Sequence, residues 1–159
     1  MLKKQSTQQL FDKTITKGFR IAIVKTDYHE ELVSLLEKYA VATLIKNGIE
    51  KNNISTFTAP GSWEIPLIAQ SVAESKKFDA IITFGVIVKG ETYHFEMIAN
   101  ESARALMQIS LDYGIPVALE ILAVFDKKQA IERAGDNENN KGIEAAIAVL
   151  KTLVEIKKV

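Results

Sequence analysis

Asp79-Ala-Ile-Ile-Thr-Phe-Gly-Val-Ile-Val-Lys-Gly-Glu-Thr-Tyr-His94 is the stretch on which the reading of this chain turns. Its first half, Asp79 to Val86, is a nearly continuous apolar run, as in a strand covered on both faces. A helical pattern opens near His94, so residues 85–94 read as the turn from the carboxyl end of a strand into a helix. Open α/β sheets bind their ligands at that place. The turn carries Gly85 and Gly90, Thr92, the opposite charges of Lys89 and Glu91, and one of only two histidines in the chain. It has the means to hold a phosphate and move a proton.

The flanking sequence repeats the same strand-then-helix unit. Upstream, Phe19 to Lys25 is a short apolar strand, followed by a stripe at Leu32, Leu35, Leu36, Tyr39, Ala40, Thr43 and Leu44 that stops at Gly48. Ile54 to Thr58 alternates and is rich in β-branched residues. Ala59-Pro60-Gly61 breaks it before a second stripe at Ile65, Ile68, Ala69 and Val72, with Pro66 in the first helical turn. Downstream, Phe95, Ile98, Ala99, Ser102, Leu106, Ile109 and Tyr113 predict a helix ending at Gly114. Pro116 to Val124 predicts a fourth strand. Asp126 and Gln129 suggest a capping box for a short helix that ends at Gly135, and Gly142 to Lys157 closes the chain as an amphipathic helix.

Alternation of this kind calls for right-handed crossovers and a parallel sheet with helices on both faces. The expected fold is therefore α/β: a three-layer α/β/α sandwich on a four-stranded parallel sheet, flavodoxin-like. Residues 1–159 form a single domain in this reading, with 1–17 a loose N-terminal arm or an edge strand lent to a neighbour. Four strands leave two edges, which self-association would cover.

Composition narrows the function. Twenty basic and twenty acidic side chains cancel, and no basic block breaks the balance, which argues against nucleic acid and for small-molecule or protein partners. The absence of cysteine removes disulfides and thiolate metal sites and makes the cytoplasm the expected location. The longest apolar run, around Ala80 to Val88, is far short of the roughly 20 residues that span a bilayer, so no membrane role is expected.

Gly85 and Gly90 have the spacing of a nucleotide cradle, and Thr92 falls where that cradle has its Ser or Thr. Glu91 stands where the cradle needs a lysine, and its carboxylate would repel the outer phosphates. A single phosphate monoester fits better, because helix N-terminal N–H groups offer donors and a favourable dipole. Arg133 is the candidate cation, able to grip a phosphate bidentately, with an ordinary solvated helix arginine as the competing reading. His94 in a first helical turn favours a neutral imidazole suited to general acid–base work, or else serves as a capping residue. His29 lies after a different strand, and no His-x-x-x-His or carboxylate cluster accompanies it, so no metal is assigned. Ser62, Trp63 and Glu64 follow the second strand, where Ser62 and Glu64 either contact a ligand or cap a helix. Tyr28 follows the first strand, where its ring stacks on a flat heterocycle or packs in the core.

Taken together, Ala59-Pro-Gly-Ser-Trp-Glu-Ile-Pro66, Phe78 to Glu96, Gln129-Ala-Ile-Glu-Arg-Ala-Gly135 and Asn140-Lys-Gly-Ile-Glu-Ala-Ala146 resemble the 6,7-dimethyl-8-ribityllumazine synthases, in the same order and over nearly the whole chain from residue 19. The resemblance implies condensation of 5-amino-6-ribitylaminouracil with 3,4-dihydroxy-2-butanone 4-phosphate, the penultimate step of riboflavin biosynthesis, with no metal or cofactor. It gives Tyr28 the pyrimidine to stack on and Ser62 and Glu64 the ribityl chain, beside Trp63. The backbone of Val86, Ile87 and Val88 would line the heterocycle pocket. Glu91, Thr92 and Arg133 would hold the phosphate, the first two largely through backbone N–H groups. His94 would move the protons, and Lys141 and Glu144 would orient the ligand and His94. It also implies a homo-oligomer, a pentamer or a decamer or sixty-subunit shell built from it, with shared active sites. Several positions depart from the family's usual pattern. His29 replaces a common Asn, and Leu119-Glu120 stands where Phe-Gly is usual, so that at Leu119, a substrate-pocket position in the family, the aromatic wall normally lent by the neighbouring subunit is removed. Ala123-Val124 replaces a Thr pair, and Asp136 to Asn139 replaces a Gly- and Lys-containing turn. These departures keep two rivals open: a catalytically weak flavin-binding or structural shell homologue, and a riboflavin synthase of the same fold.

Overall fold

The structure, a computed structural model, describes residues 10–159. Its elements run α1 (Lys13–Thr16), β1 (Ile21–Thr26), α2 (Glu30–Lys46), β2 (Ile54–Ala59), α3 (Ile65–Glu74), β3 (Ala80–Val88), α4 (His94–Tyr113), β4 (Val117–Val124), α5 (Lys127–Ala134) and α6 (Lys141–Ile156). The strands form one parallel sheet in the order β2-β1-β3-β4. Sequence pattern decides which strands are central. The unbroken apolar runs of β1 and β3 are buried on both faces, whereas the mixed sequence of β2 takes an edge.

Alternation along the strands feeds two cores. Ile82, Phe84 and Val86 of β3 join Leu122 and Val124 of β4 beneath α2, α5 and α6. Ile81 and Ile87 pack with Ile121 on the opposite face, beneath α3 and α4. The predicted three-layer α/β/α sandwich is therefore the fold observed.

Two expectations need correction. β3 runs to Val88 because β4 lies beside it to the end, pairing Gly85 with Ile121 and Val88 with Val124. Gly85 is thus a strand residue, and the turn shrinks to Lys89–Tyr93. Gly85 serves as a gap: a β-carbon there would stand 2.6 Å from the Ser62 hydroxyl. The second correction concerns the N-terminal arm, whose residues 1–9 lie outside the described residues. Its later part is ordered on the body of the protein. Asp12 caps α1 through the Thr14 N–H, and the buried Thr16 hydroxyl donates to the Asn47 carbonyl at 2.6 Å.

The α5–α6 junction depends on one side chain. Buried Asn140 accepts from the N–H groups of Gly142 and Ile143 at 2.8 and 3.1 Å, capping α6. Its amide donates to the carbonyls of Ala134 and Gly135 at 2.9 and 2.8 Å, closing α5. α6 can then approach α2 closely, because a β-carbon at Gly142 would collide with the Leu36 carbonyl. Replacing Gly142 by Ala is expected to cost about 1–3 kcal/mol, since the obstacle is backbone rather than a mobile side chain. Gly18, whose added β-carbon would meet nothing within 4 Å, is the control. Urea denaturation of the two variants checks this, and equal midpoints would remove the steric account.

Candidate active site

Strand and loop ends converge on the carboxyl rim of the sheet. Tyr28, in the turn after β1, is 67% exposed, which discards the core reading. Its ring meets His29 edge-on at 4.6 Å between centroids. His29 has φ 55°, a left-handed conformation that Asn, Asp and His tolerate better than other side chains, so His in place of Asn leaves this wall's backbone unstrained.

After β2, the chain turns through Gly61 to α3. Ser62 is buried against Gly85 of β3, and its hydroxyl has no hydrogen-bond partner among the described residues. Glu64, half-buried, occupies the cap position of α3 without a side-chain cap bond, so the capping role considered for Ser62 is not the one it plays. Trp63 projects into solvent. Val86 and Ile87 are buried and Val88 half-buried, so their backbone, not their side chains, is what the rim presents.

Between β3 and α4, Glu91, Thr92 and His94 are exposed. The N–H groups of Gly90, Glu91, Thr92, Tyr93 and His94 donate to no other residue among those described. Five consecutive N–H groups running into a 20-residue helix are therefore left without an acceptor, as donors at a helix start commonly are. His94 is the first residue of α4, and its ring caps nothing. The imidazole is thus left open to solvent beside those donors.

The remaining candidates lie elsewhere. Leu119 pairs with Thr83 in mid-sheet, five residues and about 17 Å short of Val88, and points to the α4 face. Arg133 is half-buried in the last turn of α5, its guanidinium donating to the Gln129 carbonyl at 3.0 Å. Lys141 and Glu144 form an ion pair at 2.7 Å at the start of α6. Among the described residues no hydrogen bond or ion pair joins Arg133, Lys141 or Leu119 to residues 89–94.

Three contributors were not singled out from sequence. Lys89 pairs with Glu96 across the turn at 2.7 Å, and opposite charges seven residues apart at a strand–helix junction were the available signal. Asn140 was quoted only as part of a motif, although Asn before a helical stripe is a strong cap signal. Glu120 was noted only as a departure, and strand alternation carries it to the α6 face, opposite to Leu119. Burial pushes its carboxyl up to about 8, partly offset by the Lys141 charge and reinforced by that of Glu144. No group of three or more His, Asp or Glu side chains suited to a metal ion occurs among the described residues, and none of their helices is long and apolar enough to cross a membrane.

A doubly covered parallel sheet with unpaired N–H groups and an exposed histidine at its carboxyl rim defines a flavodoxin-like α/β domain. The family model for 6,7-dimethyl-8-ribityllumazine synthase matches residues 18–157. The chain is 39% identical over 153 residues to the 6,7-dimethyl-8-ribityllumazine synthase of Nitratidesulfovibrio vulgaris strain Miyazaki F, covering 96% of both chains. It is likewise 39% identical to that of strain DP4, covering 86% of this chain and 88% of the relative. The chain belongs to the 6,7-dimethyl-8-ribityllumazine synthase family.

Glu120 gives this site a pH signature. Its folded value lies above the ordinary 4.5, so between those limits the folded protein holds a proton that the unfolded chain has released. Stability therefore falls as pH rises from 5 to 8, by up to about 1.4 kcal/mol per pH unit, and levels off above that. Glu120→Gln is expected to flatten this slope and to be the more stable protein at pH 8. Unfolding curves at pH 5, 6.5 and 8 decide it, and parallel pH trends in the two proteins would rule the buried acid out.

Proposed function

We propose that this chain performs the reaction for which its family is named, joining 5-amino-6-ribitylaminouracil to 3,4-dihydroxy-2-butanone 4-phosphate to give 6,7-dimethyl-8-ribityllumazine, inorganic phosphate and water. The observation that carries this reading is the run of five unpaired N–H donors from Gly90 to His94, with the open His94 ring at its end. The donors would hold the phosphate through the backbone of Glu91 and Thr92, and Arg133 would supply the positive charge. Tyr28 would stack on the pyrimidine beside Trp63 and the backbone of Val86–Val88. Ser62 has an unengaged hydroxyl on a buried residue and Glu64 is half-buried, both suited to the ribityl hydroxyls.

The chemistry consists of acid–base steps and is redox-neutral. The free amine of the pyrimidine attacks the ketone carbon, and loss of water gives a Schiff base. Removal of a proton next to that centre expels the phosphate with the electrons of its C–O bond. The enol so formed reverts to a ketone, which the ribityl-bearing nitrogen attacks, and loss of a second water closes the ring. His94 is placed to collect and return these protons near neutral pH.

The site is completed by a second copy of the chain. Leu119, Arg133 and Lys141 have no bond to residues 89–94 of their own protomer, and their roles fit the rim of a neighbour. Exposed apolar surface supports self-association: Leu67 borders a groove of about 540 Å³ between α3 and α4, lined also by Trp63, Pro66 and Ala105, and Met107 and Leu111 are exposed on another face of α4. We infer a single-domain cytoplasmic enzyme assembled as a homopentamer or as larger shells of pentamers, acting without metal or cofactor.

Purified protein mixed with the two substrates should form lumazine well above the spontaneous rate, and no acceleration would sink the synthase reading. His94→Ala should lower kcat by about 10²–10⁴-fold, the usual worth of a positioned acid–base group. Arg133→Ala should raise KM for the phosphorylated substrate by about 10–100-fold, matching the loss of charged hydrogen bonds. Light scattering tests the assembly, where a stable monomer contradicts shared sites.

A further inference from the structure

We propose that Lys89 is a positioning residue for the phosphate turn, acting through its ion pair with Glu96; this rests on the reading of residues 90–94 as the phosphate end of the site. The turn has few other restraints. Gly90 to Tyr93 are exposed, and among the described residues the side chains of Glu91, Thr92 and Tyr93 make no hydrogen bond or ion pair. The backbone is tied at its start, where the Lys89 N–H donates to the Val124 carbonyl at 2.8 Å. Among the described residues, the only side-chain tie across it runs from Lys89 Nζ to Glu96 Oε1 at 2.7 Å, from the first residue after β3 to the third residue of α4.

That tie is embedded in an aromatic setting. The ammonium lies 5.8 Å from the Phe95 ring centre and 5.6 Å from that of Phe125, and the two rings are 6.2 Å apart. Both rings are within the reach at which a cation is attracted to a ring face. Phe125 belongs to the turn after β4, and its N–H is taken by the Gln129 side chain of α5 at 3.0 Å. Lys89 therefore joins three pieces: the end of β3, the first turn of α4 and the turn leading to the helix that carries Arg133. Glu96 depends on this partner. Its Oε2 is buried without a hydrogen bond, and the bond from Lys89 holds its carboxyl below the usual range.

Two other roles make different demands. An ordinary surface ion pair would leave the site untouched when removed. A lysine serving as a phosphate cation would be freed by loss of Glu96, and substrate binding would tighten. A positioning lysine needs Glu96, so losing either partner loosens the same five donors.

Steady-state kinetics with both substrates separates the three. Lys89→Met, which keeps the aliphatic stem, and Glu96→Gln should each raise KM for the phosphorylated substrate about tenfold, with KM for the pyrimidine unchanged. Small displacements of binding groups have effects of this size or larger. Lys89→Arg should restore KM to within about threefold of wild type. Unchanged KM in both variants, a lower KM in Glu96→Gln, or no rescue by Arg would each overturn the proposal. An inactive wild-type protein would instead count against the synthase reading itself. Should either single variant fail to fold, the exchanged pair Lys89→Glu with Glu96→Lys tests the same link: recovered KM supports it and a tenfold rise opposes it.

Discussion

Burial of β3 on both faces is the constraint that the rest of the molecule answers. A strand whose side chains alternate Ile81 and Ile87 to one side and Ile82, Phe84 and Val86 to the other needs an apolar layer above and below. Those layers are α3 with α4, and α2 with α5 and α6. With both faces covered, the strand can meet water or ligand only at its ends. Its carboxyl end is where the chain must leave the sheet and start α4, exposing unpaired N–H groups as any helix start does. The open rim is thus a consequence of how the core is closed. Gly85 shows the two demands meeting in one residue: it stays in the ladder with Ile121, and its missing side chain makes room for Ser62.

Asn140 and Gly142 govern the other half of the molecule in a similar way. A short helix such as α5 is marginal by itself. The four hydrogen bonds of Asn140 give its end the same anchor as the start of α6. Gly142 lets that anchored pair settle on α2 at backbone distance. Arg133 and Lys141 flank this junction, so their separation is set by buried packing.

The architecture was largely legible in the sequence because two periodicities carried it. Continuous apolar runs at β1 and β3 marked strands covered on both faces, and the order β2-β1-β3-β4 came from the structure. What escaped were features set by pairing between distant segments. The two extra residues of β3 exist only because β4 runs alongside to Val124. The order of the chain just before Lys17 comes from the Thr16 bond to Asn47, 31 residues away. Glu120 could be seen as an unusual acid in a strand, but its raised value needs the burial that α6 supplies. At the rim, Tyr28, Ser62 and His94 were legible as positions, and the structure discards the core and capping readings for them.

The charges around the turn follow one logic. Glu91 makes the turn unsuited to a nucleotide's clustered phosphates, yet a monoester must still be neutralised. Lys89 is the nearest cation in sequence, but its ammonium is committed to Glu96, and the pair together carries no net charge. The turn therefore offers oriented N–H dipoles without a mobile counter-charge of its own. Dipoles of this kind retain a dianion less strongly than a second cation would, which suits a phosphate that arrives on a substrate and departs as a product. In the proposed reading, Arg133 on α5 would hold the substrate while Lys89 shapes the turn.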